Sequence, residues 1–170
     1  MLSMKKRVIL SEKAVAAIQE HGREAYPYEC CGFLYGTEKA ERRIEQAVRV
    51  PNSKEGDQRR RFEISPADYL WAERYALEKD LQLFGVYHSH PNHPAIASET
   101  DLAMAMPYFS YVIISVNDGI PGDIKSWQLA DNDRRFEEEE VWLEQTEDLS
   151  TDFVAQIPCS NNSSKTLEKL

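Results

Sequence analysis

The amino-acid sequence predicts a single α+β or α/β domain, with helices packed around a curved mixed sheet. Three observations lead there. Short runs rich in β-branched and aromatic residues, such as residues 81–90 and 108–116, have the length and composition of strands. Two longer segments, residues 11–25 and 66–79, open on helix-capping signals. A chain of 170 residues, 42% of them hydrophobic, is of ordinary size for one domain with a real core.

Along the chain, residues 11–25 form an amphipathic helix that turns Val15 and Ile18 inward and stops before Pro27. Residues 31–35 and 42–50 are strands joined by a polar turn around residues 36–40. Residues 51–58 are a loop. Residues 60–64 are expected to be a third strand, entered through the one basic run, Arg59-Arg60-Arg61. Ser65 caps the next helix, with Pro66 at its first position, where a missing N–H costs nothing. Residues 81–90 follow as a strand that Pro91 ends, because proline cannot donate to a ladder. Residues 92–97 loop through Pro94, and Ser98 caps a short helix reaching Met106. Residues 108–116 are a central strand, Asp118-Gly119 a hairpin turn, and residues 124–130 the strand returning beside it. Residues 135–143 are an edge strand or a short helix. There are no internal repeats. The domain is expected to span residues 1–143. Residues 144–170, polar and rich in Ser and Asn, are expected to be a tail, or else an arm anchored by Phe153, Val154 and Ile157.

Charge and cysteine usage exclude several function classes. The net charge is −9, and residues 131–170 hold 11 acids against 4 bases, so the remainder is almost balanced and nonspecific nucleic-acid binding is disfavoured. No apolar run is long enough to span a bilayer, and the first residues have no apolar core of a signal peptide. The three cysteines, Cys30, Cys31 and Cys159, make a poor disulfide framework and contain no Cys-x-x-Cys pair. A cytoplasmic location is the resulting expectation. Adjacent Cys30 and Cys31 read as small buried residues. GxGxxG, Walker A, GxSxG and HExxH motifs are all absent.

The informative stretch is HSHPNHPAIASETD, residues 88–101. On a strand, side chains at i and i+2 share a face, so His88 and His90 converge while Tyr87 and Ser89 face away. Asp101 falls at the third position of the helix capped by Ser98, in a rigid first turn close enough to fold back onto a metal. Two imidazoles and one carboxylate make three protein ligands. Three ligands with an open fourth position are how a catalytic zinc is held, whereas a structural zinc is usually closed by four. The same donors also suit other divalent ions. His93 reads as a solvent-facing loop histidine, and His21 as a cation near a helix C-terminus.

These residues resemble the JAMM (MPN+) metalloprotease family, in particular its compact prokaryotic branch. The family pattern is a distant upstream glutamate, His-Ser/Thr-His, seven residues, Ser, two residues, Asp. Here seven residues separate His90 from Ser98, and two separate Ser98 from Asp101. Glu29, in PYECCGFLYG, matches the upstream glutamate. The resemblance covers about residues 8–130 and implies a cytidine-deaminase-like α/β/α domain. It implies one Zn²⁺ on His88, His90 and Asp101, with Glu29 as general base and the Ser98 hydroxyl donating to the oxyanion. It also implies hydrolysis of the bond after the C-terminal Gly-Gly of a ubiquitin-like or sulfur-carrier protein. A metal-free interaction scaffold and a zinc amidohydrolase on a small-molecule amide remain as alternatives. Oligomeric state, and the choice between a linear peptide and an isopeptide bond, are not legible.

Overall fold

The computed structural model describes residues 6–132 and 134–144. Its elements run β1 (Arg7–Leu10), α1 (Glu12–Ala25), β2 (Cys31–Glu38), β3 (Arg42–Val50), α2 (Pro66–Lys79), β4 (Gln82–Pro91), α3 (Glu99–Met104), β5 (Ser110–Asn117), β6 (Ile120–Leu129) and β7 (Phe136–Leu143).

The sheet is mixed, with strand order β1-β3-β2-β4-β5-β6-β7, and it curls until β1 pairs with β7 and closes it. Strand β4 is central, antiparallel to β2 and parallel to β5. Because β-strand side chains alternate, the sheet has two apolar faces. Leu34, Tyr87, Val112 and Ile114 pack with Ala14 and Ile18 of α1. Phe33, Tyr35, Val86 and Tyr111 pack with Ala72 and Ala76 of α2. The two helices therefore cover opposite faces of the same strands.

Both long helices are capped as their sequences require. The Ser11 side chain accepts from Ala14 N, and the Ser65 side chain accepts from Asp68 N with Pro66 at the start of α2. Strand β4 can lie tightly against β5 only because position 85 is glycine. A Cβ there would stand 1.9 Å from the Ser110 carbonyl oxygen. At the β5–β6 hairpin, Asp118 and Gly119 both take positive φ, the two-residue turn expected from their residue types.

Several expectations need correction or refinement. Residues 60–64 form no strand; the Asn52 side chain takes up their backbone groups instead, accepting from Glu63 N and donating to Arg61 O. Strand β1 was not foreseen, since four residues with no turn signal acquire strand character only through parallel pairing with β3 and β7. Strand β6 begins earlier than residue 124, and α3 stops at Met104, ahead of Pro107. The ambiguous segment 135–143 is a strand, hydrogen-bonded to both β6 and β1. Most of the expected tail, with Phe153, Val154 and Ile157, lies outside the described residues. Among the described residues no helix is long and apolar enough to cross a membrane.

Candidate active site

The C-terminal end of β4 delivers His88 and His90 to one face, as period-two alternation dictates. The opposite-facing Ser89 has a separate task. Its hydroxyl accepts from Cys30 N at 2.9 Å, and its own N–H donates to Cys30 O at 3.1 Å. Those two bonds pin the residue that follows Glu29, so the glutamate, just ahead of β2, is held where the His88 charge acts on it. Glu29 N also donates to Gln58 O at 2.8 Å.

Helix α3 supplies the carboxylate through a complete capping box. Asp101 N donates to Ser98 Oγ at 3.1 Å, while Ser98 N and Ser98 Oγ both donate to Asp101 Oδ2 at 2.7 Å. Asp101 Oδ1 is thereby turned toward His88, 3.4 Å from its Nε2. Asp101 Oδ2 stands 3.8 Å from His90 Nε2, and the two imidazole Nε2 atoms are 3.0 Å apart.

Outer contacts set the ring orientations. His90 Nδ1 lies 2.8 Å from the Pro94 carbonyl oxygen. A carbonyl only accepts, so Nδ1 carries the proton and the Nε2 lone pair faces the cluster. Phe62 stacks on the His88 ring at 4.4 Å between centroids. His88 Nδ1 is buried without a hydrogen-bond partner. The loop carrying Pro94 is held by Trp127, whose indole N–H donates to Ala95 O at 3.1 Å.

These donor atoms fit a metal. In a tetrahedral site with bonds of ~2.0–2.1 Å, neighbouring donors stand ~3.4 Å apart; here one ligand atom from each of His88, His90 and Asp101 lies within 4.8 Å of the others, close enough for a small adjustment to bring all three onto one ion. Two imidazole nitrogens and a carboxylate oxygen brought together in this way could hold a metal ion. His88, His90 and Asp101 are the only group of metal-capable side chains so converged among the described residues.

The electrostatics separate the two carboxylates. Burial alone would raise the Asp101 pKa, but the bonds and charge of His88 and the Ser98 donors hold its carboxyl well below the usual range. Burial pushes Glu29 the other way, up to about 7, with the His88 charge opposing and the Asp101 charge adding to the rise. Burial, then the His88 charge, lowers the pKa of His90 and keeps it neutral. One carboxylate is thus fixed as an anion, while the other is poised to exchange a proton near neutral pH.

Glu29, His90, Ser98 and Asp101 all line one cleft of about 460 Å³ whose apolar wall includes Phe62, Ile64, Tyr69, Val86 and Tyr111. Exposed His93 sits at its mouth. His21 is elsewhere. Its Nδ1 is 2.8 Å from the Tyr87 hydroxyl on the far face of β4, and burial lowers its pKa to about 4. It is therefore neutral near pH 7 and does not act as a helix-end cation. Cys30 and Cys31 are buried, and burial pushes their thiols up to about 11 and 12, leaving them inert. Phe62, the Pro94 carbonyl and Ser89 are site components that sequence reasoning missed. Ser89 had a signal, since it faces away from two converging neighbours, whereas Phe62 and Pro94 reach the site through irregular backbone.

Comparison with known proteins identifies the family. Residues 11–130 match the family described as prokaryotic homologs of the JAB domain. A protein named CysO-cysteine peptidase from Mycobacterium tuberculosis is 27% identical over 125 residues, 73% of this chain and 84% of its own. A protein named desampylase from Pyrococcus furiosus is 30% identical over 106 residues, 62% of this chain and 70% of its own. The crystal structure of a JAB1/MPN domain protein from Archaeoglobus fulgidus shares the fold, with a TM-score of 0.53 at 18% identity, covering 84% of this chain and all of that one. With the family match extending over most of the chain, the protein belongs to the prokaryotic JAB-domain family.

Proposed function

We propose that this protein is a zinc-dependent peptidase that hydrolyses the bond after the C-terminal Gly-Gly of a ubiquitin-like or sulfur-carrier protein. The observation that carries this reading is the cluster of three metal-capable donors, His88, His90 and Asp101, two of which, His90 and Asp101, line the same cleft as the raised-pKa carboxylate of Glu29. The names of the two relatives support the substrate class.

His88, His90 and Asp101 would hold the ion. When bound, zinc supplies Lewis acidity that makes water a nucleophile near neutral pH and polarises a carbonyl. Glu29 takes the proton from the attacking water and returns it to the leaving amine, a double duty suited to a carboxylate whose pKa burial raises. Ser98 lines the cleft. Its hydroxyl donates to Asp101 Oδ2 alongside the Ser98 N–H, and the same hydroxyl is placed in the cleft where it would donate to the oxyanion as charge develops. A glycine tail suits the approach, because without Cβ atoms its backbone can come close to buried donors.

The test is incubation of the zinc-loaded protein with a sulfur carrier extended beyond its Gly-Gly, read by mass with and without a chelator. Chelator-sensitive release of everything after Gly-Gly is the expected result. An intact carrier mass in the metal-loaded sample would overturn the reading.

A further inference from the structure

Residues 51–65, between β3 and α2, form a long connection with no regular element, a length at which loops usually serve a function. This one is well built. Asn52 Nδ2 donates to Glu29 O at 3.1 Å and to Arg61 O at 3.0 Å, while Asn52 Oδ1 accepts from Lys54 N at 3.0 Å and Glu63 N at 3.2 Å. Gln58 Nε2 donates to Asn52 O at 3.0 Å and to Lys54 O at 2.8 Å. One asparagine therefore ties the backbone of Glu29 directly to that of Arg61.

The consequence is a fixed placement of Arg60 and Arg61 on the cleft that Glu29 lines. Arg61 Nη1 donates to Arg60 O at 2.8 Å, and neither guanidinium forms an ion pair among the described residues. Arg7, Arg42, Arg43, Arg49 and Arg135 are ion-paired, and Arg60 and Arg61 differ from the other arginines outside ion pairs in lining the cleft. Two uncommitted cations beside an apolar cleft need a partner that is anionic at one end and apolar at the other. The cleft itself, about 460 Å³ with Phe62, Tyr69, Tyr111 and Met104 in its lining, is far more than a Gly-Gly tail fills. Something with a side chain must sit on the other side of the scissile bond.

We propose that Arg60 and Arg61 bind the free α-carboxylate of the leaving residue, so that the bond cut is a linear peptide bond joining Gly-Gly to a C-terminal apolar amino acid. The inference rests on the proposed function and specifies its substrate. Water adds its hydroxyl to the glycyl carbonyl carbon, the C–N bond breaks, and the amine leaves with the remaining proton as a free amino acid. A lysine side chain joined through an isopeptide bond carries no α-carboxylate of its own at that distance, and it gives the arginines nothing to hold.

The experiment compares a carrier ending Gly-Gly-Phe with one ending Gly-Gly-Phe-amide, on the zinc-loaded wild type and on the R60Q/R61Q double variant. A second readout, by calorimetry, is the binding of the same two short peptides to the Glu29→Gln protein. Charge-assisted contacts predict an acid-over-amide preference of about 10- to 100-fold in kcat/KM and in affinity, falling to near unity in the double variant. Equal use of acid and amide by the wild type would overturn the inference while leaving the peptidase reading intact. So would a double variant slowed equally on both substrates, since that places the arginines against the folded part of the carrier. Absence of cleavage with every substrate, zinc present, would instead count against the peptidase reading. In that case a preserved acid-over-amide ratio in peptide binding would still support the arginine site, and its absence would overturn it.

Discussion

Replacing Glu29 by Gln keeps the shape of the side chain and removes its charge, which makes the cost of that charge measurable. In the metal-free protein, burial raises the pKa from 4.5 to about 7. Below pH 4.5 the group is protonated folded and unfolded, and it contributes no penalty. Between 4.5 and 7 the folded chain holds a proton that the unfolded chain releases, so stability falls as pH rises through this window. Above 7 the whole penalty is present, about 3 kcal/mol for a shift of this size. Glu29→Gln has no such penalty. Urea unfolding with chelator present should therefore find the variant more stable by about 1 kcal/mol at pH 5 and about 3 kcal/mol at pH 8.5. Added zinc should narrow the gap at pH 8.5, since a nearby cation favours the carboxylate. Turnover of the variant should fall by about 10²-fold or more. An equal stability gap at both pH values would refute the idea that burial holds Glu29 near neutrality, and unchanged turnover would remove it from the mechanism.

Other perturbations separate holding the metal from holding the fold. Asp101→Ala should leave the protein folded but without stoichiometric zinc by elemental analysis, and full metal content would break the ligand assignment. Ser98→Ala removes both the α3 cap and one of two donors to Asp101 Oδ2. It should cost about 1 kcal/mol of stability and roughly 10- to 100-fold in zinc affinity, and unchanged affinity in a chelator competition would show that the capping box does not orient the ligand. Gly85→Ala would force β4 away from the Ser110 carbonyl. It should destabilise by about 3 kcal/mol or more, with a wild-type melting temperature as the contrary result.

The parts of the site that the sequence reveals are those fixed by local geometry. His88 and His90 share a face because strands alternate, and Asp101 follows from its distance to a capping serine. Each inference needs only a few neighbouring residues. Glu29 is different. Its partnership with His88 depends on β2–β4 register and on Ser89 gripping Cys30, which only the family pattern could anticipate. Residues 60–64 mislead for a related reason. Phe62-Glu63-Ile64 alternates as a strand would, but Asn52, eleven residues upstream of Glu63, captures the backbone groups that a ladder would use. Strand β1 escaped because its pairing partners, β3 and β7, are distant in sequence, and four residues carry too little pattern to announce it.

The most direct test of the metal centre is a zinc-edge anomalous difference map from crystals of the zinc-loaded protein. One strong peak per chain is expected at bonding distance, ~2.0–2.2 Å, from the two Nε2 atoms of His88 and His90 and from an Asp101 carboxylate oxygen. A peak placed elsewhere, or none at this cluster in zinc-loaded crystals, would contradict this assignment.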